Sequence, residues 1–501
     1  MNKFKRTQIL VSLFGSMAII SFCGFFALGT NWIYLIGVLL FFVGCLAVMA
    51  INDVSQTRHS LLRNYPLIGR LRWIMEGERS KIQQYFVEDE TNGAPINKQK
   101  RSDIIQKAKN VLNTTPFGTM LNVYQVGYEF IRHSMYPKDP AQVEDLRVKI
   151  GQWPNQYSAS ILNISAMSYG ALSGKAIHAL NKAAARGKFF HNTGEGGISP
   201  FHTAENGDLC FQIGTGYFGC GKTVNNKREF DEAQFLHSVS YESVKLIELK
   251  LSQGAKPGHG GMLPASKNTP TIAAIRGIEP NVDVLSPPYH SAFSNRLEML
   301  HFISKLKKLS NKPVGIKLCL GDIEEFDALV RLMPSICIPD FITVDGGEGG
   351  TGSAPLVFTN NVGSPLVDSL IEVNKILKKH GVRDRTKIIA SGKITGSFEV
   401  IKMIALGADL VNSARAFMIS IGCIQARECN NNTCPVGVAT QNEELTQGLD
   451  VEEKSMRAFN YHNNLLKEVK DVMASIGVTS LSKLKPSHIS YRAENGTIKT
   501  Y

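Results

Sequence analysis

Neither an internal repeat nor a low-complexity tract occurs in the 501 residues, so a solenoid or an extended disordered chain is not expected. The nine cysteines show no evenly distributed pairs, which argues against a secreted disulfide framework and for a reducing compartment. Basic residues are in excess, for a net charge of +12, but they are scattered and not interleaved with aromatics on a recognisable module. Nucleic acid is therefore not an expected partner. What the chain has in quantity is glycine, 44 residues in short clusters after apolar runs, the pattern of backbone brought close to a ligand. The length suits one large domain and an appendage.

The appendage is N-terminal. Two apolar runs, 8–28 and 32–51, are separated only by Gly29, Thr30 and Asn31. Each approaches the ~20 residues a helix needs to cross a bilayer. A cleaved signal peptide has a shorter apolar region and no second full-length run directly after it. Residues 1–52 are thus expected to form a transmembrane helical hairpin in the lipid bilayer. Lys3, Lys5 and Arg6 before it and Arg58, Arg63, Arg70 and Arg72 after it put both ends on the cytoplasmic side. The expected location is multi-pass in a bacterial-type inner (cytoplasmic) membrane, with the catalytic domain cytoplasmic. Residues 53–150 are polar with helical stretches and read as a helical collar.

Beyond residue 150, β-type runs at 160–166, 188–191, 209–213, 244–251, 314–319, 341–344, 387–390 and 409–412 alternate, for the most part, with helix-length segments. Eight such units predict the α/β class and a (β/α)8 TIM barrel over 151–490. Most glycine clusters begin where a strand ends, the end at which such barrels carry active sites.

Cys423, Cys429 and Cys434 lie in GCIQARECNNNTCPVGVATQ, a C-x5-C-x4-C run ending in Cys-Pro. Three thiolates this close suit one small inorganic centre. Short Cys-Pro loops recur in iron–sulfur proteins, and three ligands suit a [3Fe-4S] cluster. Zinc asks for a fourth ligand, and the next histidine downstream is His462. Three unconnected buried thiols are the alternative.

The cysteine run resembles the cluster loop of the synthase domain of glutamate synthases. Further matches follow in family order: ISAMSYGALS (164–173), NTGEGG (192–197), QGAKPGHGG (253–261), IAAIR (272–276), SPP (286–288) and DGGEGGTG (345–352). The resemblance covers about 150–480. The first hundred or so residues look like those of the shorter, membrane-anchored, glutamate-synthase-like proteins.

DGGEGGTG contains Gly347, Gly349 and Gly352 as G-x-G-x-x-G, but so late in the chain, with no preceding mononucleotide unit, it is a weak dinucleotide signal. It reads better as a barrel loop meeting a phosphate: Asp345, Gly346, Gly347, Gly349 and Gly350, followed by Ser391 and Gly392 and then Ser413 and Arg415. FMN has the one terminal phosphate this needs. The resemblance implies that the flavin ring lies against Ala166, Met167 and Ser168, with Gln212 and Lys317 near its pyrimidine edge. Lys317 would stabilise negative charge on the reduced ring; a surface cation at a strand end is its bland reading. It also implies that Lys256 and Arg276 bind 2-oxoglutarate, and that Glu195 orients substrate and manages a proton.

The implied activity is reductive amination of a 2-oxo acid, with reduced FMN fed by the [3Fe-4S] cluster and electrons from ferredoxin or a partner flavoprotein. The chain departs from the family where QGAKPGEGGQLP reads with His259 and Met262, losing an amide beside the substrate loop. Residue 2 is Asn and no N-terminal cysteine nucleophile is present to hydrolyse glutamine, so free ammonia, another amine or a partner subunit is expected to supply nitrogen. Two rivals stand: an amine-transferring relative making an N-substituted glutamate, and a membrane electron-transfer flavoprotein that turns over no oxo acid.

Overall fold

A computed structural model describes residues 32–111, 114–225 and 227–501. The chain forms two compact units, 1–88 and 89–501, a division that falls inside the segment read as a collar. In the first unit, helix α1 (Trp32–Ser55) contains a 19-residue stretch, Gly37–Ser55, of mean hydropathy 2.1, long and apolar enough to cross a membrane. The 8–28 run expected as the other half of a hairpin lies outside the described residues. Helix α2 (Gly69–Ile82) follows in the same unit.

The second unit is built on eight parallel strands: β1 (Leu162–Ile164), β2 (His191–Asn192), β3 (Leu209–Ile213), β4 (Val244–Lys250), β5 (Val314–Leu318), β6 (Phe341–Asp345), β7 (Lys387–Ser391) and β8 (Leu410–Ser413). They pair in sequence order and close, β8 on β1, into a barrel. All eight lie within or beside the runs expected from sequence.

Side-chain parity explains the barrel. Leu209, Phe211, Ile247, Leu249, Ile342, Val344, Ile388, Ala390 and Val411 pack outward with the surrounding helices. The alternate residues Cys210, Leu246, Phe341, Ile389 and Leu410 form a separate small core with Phe190 at the floor of the barrel. Continuing upward at the same parity, the interior turns polar: Gln212 above Cys210, Glu248 and Lys250 above Leu246, Thr343 and Asp345 above Phe341. The strands thus carry an apolar floor and a charged mouth.

Outside the strands, helix α3 (Lys98–Lys109) and helix α4 (Gly174–Gly187) both pack on the long helix α6 (Val451–Ile476). The helix between them in number, α5 (Pro270–Arg276), matters most for the site. Thr269 caps its start, accepting from Ile272 N, Pro270 occupies the first turn, and Gly277 at φ +64° ends it directly after Arg276.

Candidate active site

The mouth is organised by Glu195, in the turn after β2. Its Oε2 lies 3.0 Å from the Nζ of Lys250, at the end of β4. The carboxylate sits between two glycines: a Cβ on Gly214 would fall 2.6 Å from Oε2, and one on Gly261 2.6 Å from Oε1. Burial works against its charge, but Lys250, Lys256 and Arg276 outweigh that and hold its pKa below the ordinary carboxylate value. Lys250 was not among the residues singled out from sequence. Its parity on β4 and its place six residues before Lys256 were the available signals. His290 is bonded to the Lys250 carbonyl at 2.8 Å through Nε2 and to the Tyr217 hydroxyl at 3.0 Å through Nδ1, which anchors the strand end.

Lys256 and Arg276 share one cavity of about 90 Å³ with Glu195, whose walls also include Ser168, Met262 and Cys429. Burial lowers Lys256 to about 8, with Glu195 opposing and Lys250 adding to the effect. Burial lowers Arg276 to about 10. The Arg276 guanidinium lies over the Phe218 ring, 5.0 Å from its centroid, and Nη2 donates to the Tyr169 carbonyl at 3.2 Å. Its Nε is buried with no hydrogen-bond partner among the described residues. A buried donor left unmade costs about 1–3 kcal/mol unless a ligand satisfies it.

A second network fills the barrel interior. Glu248, fully enclosed, accepts from Asn192 Nδ2 (2.8 Å), Gln212 Nε2 (2.6 Å) and Thr343 Oγ1 (2.5 Å). It was also missed from sequence, where only the inward parity of the strand would have marked it. Lys317 stands 3.4 Å from Asp345 Oδ2, and burial, which opposes its charge, is outweighed by Asp345 and Glu248, so its pKa is raised. Asp345 also accepts from Ser391 Oγ at 2.8 Å and from Gly254 N at 2.8 Å. The Lys256 loop is thereby tied to the end of β6. Gly254 must be glycine, because a Cβ there would fall 1.7 Å from the Gly346 carbonyl oxygen.

In the glycine loop after β6, the amides of Gly346, Gly347 and Gly349 donate to the carbonyls of Ser391, Ser364 and Gly346. Arg415 passes along Gly350, where a Cβ would sit 3.1 Å from its Cδ, and donates to the Glu348 carbonyl at 2.7 Å. Ser413 Oγ donates to the Ile394 carbonyl, and Gly392 adopts φ +147° beside Gly346. Met167 donates to the Asn192 carbonyl at 3.4 Å, and a Cβ on Gly194 would fall 2.7 Å from Ser168 N, so the 166–168 segment is pressed against the Glu195 turn. Together these residues line one face of the mouth. The glycine cradle at Arg415, the buried cation at Lys317 and the partnerless Asn412 Oδ1 at the end of β8 fit a flavin mononucleotide in charge and hydrogen-bonding chemistry.

Cys423, Cys429 and Cys434 are free thiols on one loop. Burial, with the neighbouring thiols adding, pushes Cys423 up to about 12, and burial with Cys434 also raises Cys429. No group of three or more His, Cys, Asp or Glu side chains among the described residues forms a closed metal-holding set. The donor types fit an iron–sulfur cluster, while their side chains are not drawn into a ligand set. Lys267, buried and also unmarked in the sequence, donates to the carbonyls of Ala171 (2.8 Å), Cys429 (3.2 Å) and Ala439 (3.2 Å), joining this loop to the cavity wall.

Residues 125–479 match the family model described as the conserved region in glutamate synthase. The chain is 35% identical to the glutamate synthase large subunit-like protein YerD of Bacillus subtilis, over 93% of this chain and 96% of that one. It is 33% identical to the archaeal glutamate synthase [NADPH] of Methanocaldococcus jannaschii over 72% and 67% of the two chains. Against the glutamate synthase [NADPH] large chain of Bacillus subtilis it is 32% identical but spans 20% of that protein. Among solved structures, the recombinant flavin-binding domain of baker's yeast flavocytochrome b2 is similar at a TM-score of 0.45 and 14% identity, over 78% of each chain. That last likeness carries nothing about ligand or reaction.

Proposed function

We propose, for a chain that belongs to the glutamate synthase family and is an oxidoreductase, that it reductively aminates a 2-oxo acid, with 2-oxoglutarate to glutamate as the conversion its cavity suits best. The observation that carries this reading is the buried Nε of Arg276, partnerless among the described residues, in one cavity with Lys256 and with Glu195, which Lys250 pairs. Two cations and an open donor ask for a dianion, and a guanidinium can grip a carboxylate through two parallel bonds.

Within this reading Arg276 and Lys256 hold the two carboxylates of the oxo acid and fix its carbonyl carbon toward the 166–168 face. Glu195, kept ionised by Lys250, accepts a hydrogen bond from the incoming amine and carries its protons to the carbonyl oxygen, so that the C–O bond breaks and the oxygen leaves as water when the C=N bond of the imine forms. FMN would be held by Ala166, Met167, Ser168, Gln212 and Lys317 at its ring and by Gly350, Ser391, Gly392, Ser413 and Arg415 at its phosphate, while Asp345 pairs with Lys317 and the amides of Gly346, Gly347 and Gly349 are taken by backbone carbonyls. Bound there, it would supply hydride, and a [3Fe-4S] cluster on Cys423, Cys429 and Cys434 would supply electrons singly. Met262 and Leu263 supply the apolar part of the cavity wall. Ammonia or another amine supplies nitrogen, and ferredoxin or a flavoprotein is the electron donor. The helix Trp32–Ser55, with the 8–28 run, is read as the anchor that holds the barrel on the cytoplasmic side of the membrane.

The test is anaerobic reduction of the purified protein, then addition of a panel of 2-oxo acids with ammonia while flavin absorbance is followed. Rapid reoxidation by 2-oxoglutarate, with glutamate formed, is expected. Reoxidation by none of the panel would transfer the protein to the electron-transfer reading.

A further inference from the structure

Helix α1 does not simply end at the barrel linker. Asp53, in its last turn, is fully buried, and its carboxylate accepts from Leu67 N at 3.1 Å and from Arg70 Nε at 2.8 Å while pairing with Arg70 Nη2. The chain therefore folds back after Ser55, and Arg70, in the first turn of α2, is clamped to the end of α1. Gly69 makes the approach close: a Cβ there would meet the Leu61 carbonyl and Leu62 side chain at 3.3 Å.

Along α2, Leu71, Ile74, Met75 and Ile82 fall at i, i+3, i+4 and i+11, with Ile68 just before them, and so share one side, while Trp73 lies on the other, its ring edge-on to His59 at 5.3 Å. Ile68 is 72% exposed, and Leu71, Ile74 and Met75 are 58–59% exposed, a stripe with no partner among the described residues. Flanking it stand Arg70, Arg72, Arg79 and Lys81, of which Arg70 is held by Asp53, Arg72 by Glu76 at 2.9 Å and Lys81 at 2.6 Å by Glu78, itself on the stripe. Past the helix, Tyr85 and Phe86 are exposed as well.

We propose that helix α2 lies in the plane of the membrane, its Leu71–Ile74–Met75 stripe in the head-group boundary of an anionic bilayer and Arg72 and Arg79 against the lipid phosphates. Three observations favour lipid over a protein groove. The Asp53–Arg70 clamp keeps the start of α2 at the end of a bilayer-length helix, where the interface lies. Arginines beside a short apolar stripe suit an anionic interface. The stripe is interrupted by Glu78, which suits shallow seating and not a closed protein core. The proposal rests on α1 as a span.

The test uses the full chain with Trp32, Trp73 and Trp153 changed to Phe and a single tryptophan returned, as Ile74→Trp on the stripe or Ser80→Trp on the opposite side. Each is reconstituted into vesicles of phosphatidylcholine brominated on its acyl chains, mixed with phosphatidylglycerol. Emission from position 74 is expected to fall by about half or more, that from position 80 far less, and the loss to depend on phosphatidylglycerol. Leu71→Glu should abolish the loss at 74 while the chain stays with the vesicles through an alkaline carbonate wash. No quenching at 74 in a chain that survives the wash overturns this proposal alone, and a crosslinked dimer through position 74 would assign the stripe to a second copy. A chain stripped by carbonate overturns the span and this proposal together.

Discussion

Glu195 and Lys250 face each other at 3.0 Å across the mouth of the barrel, one from the turn after β2 and the other from the end of β4. Two glycines leave no other room for the carboxylate, which lines the same cavity as Lys256 and Arg276. Three cations around one carboxylate leave the site net positive, which suits the dianionic substrate proposed for it. Lys250→Met should leave the other two cations in place and raise the Glu195 pKa. The acid limb of the kcat/KM profile for the oxo acid should then move to higher pH, and an unmoved limb would detach Lys250 from Glu195.

The basic limb belongs to Lys256. Its pKa, lowered by burial to about 8, means that the free enzyme loses this charge as pH rises through that value. kcat/KM for a dicarboxylic oxo acid is expected to fall above about pH 8, and Lys256→Arg should carry the fall upward. Stability runs the other way. The unfolded chain keeps its proton to near the ordinary 10.5, so between about 8 and 10.5 it binds more protons than the folded one, and this group's contribution to stability rises with pH.

Gly261→Ala places a Cβ 2.6 Å from Glu195 Oε1. The carboxylate has to give way, since Gly214 closes its other side. A stability loss of about 1–3 kcal/mol is expected, with turnover down roughly 100-fold for a displacement near 1 Å. Gly254→Ala, whose Cβ meets backbone at 1.7 Å, should by contrast lower Tm more than Gly261→Ala does. Thermal melts and single-turnover rates on both variants decide this.

Arg276→Lys keeps the charge but loses the fork and the open Nε. Affinity for the oxo acid should drop by about one to two decades, the equivalent of roughly 1.5–3 kcal/mol. Met262→Gln, which returns an amide to the cavity wall, should move preference toward 2-oxoglutarate. Binding titrations on the oxidised protein read both, and unchanged affinity in Arg276→Lys would remove this arginine from the substrate site.

Cys429→Ser should abolish bound iron, expected at about three atoms per chain, while FMN content and the melting curve of the barrel stay near wild type. Iron analysis and low-temperature EPR on anaerobically prepared protein supply the readout. Zinc in place of iron, or iron retained by the variant, would contradict the ligand assignment.

The eight strands were legible because each is a short apolar run closed by glycine or a polar residue, and a parallel barrel buried on both faces needs little else. Cys429, Lys256 and Arg276 stand out by their motifs, and the structure brings the three to the wall of one cavity. Glu248, Lys250 and Lys267 do not stand out, since a charge inside an apolar run reads as a strand end or a solvated face until the neighbours are known. Inward parity is a property of closure: Glu248 becomes a barrel-centre acceptor only when Asn192, Gln212 and Thr343 arrive from three other strands. The sequence by itself determined the strand order, the cysteine loop and the placing of glycine wherever backbone must approach backbone. Which carboxylate meets which lysine was decided by the tertiary structure alone, because Glu195 and Lys250 are 55 residues apart and only the closed barrel turns their strand ends to the same mouth.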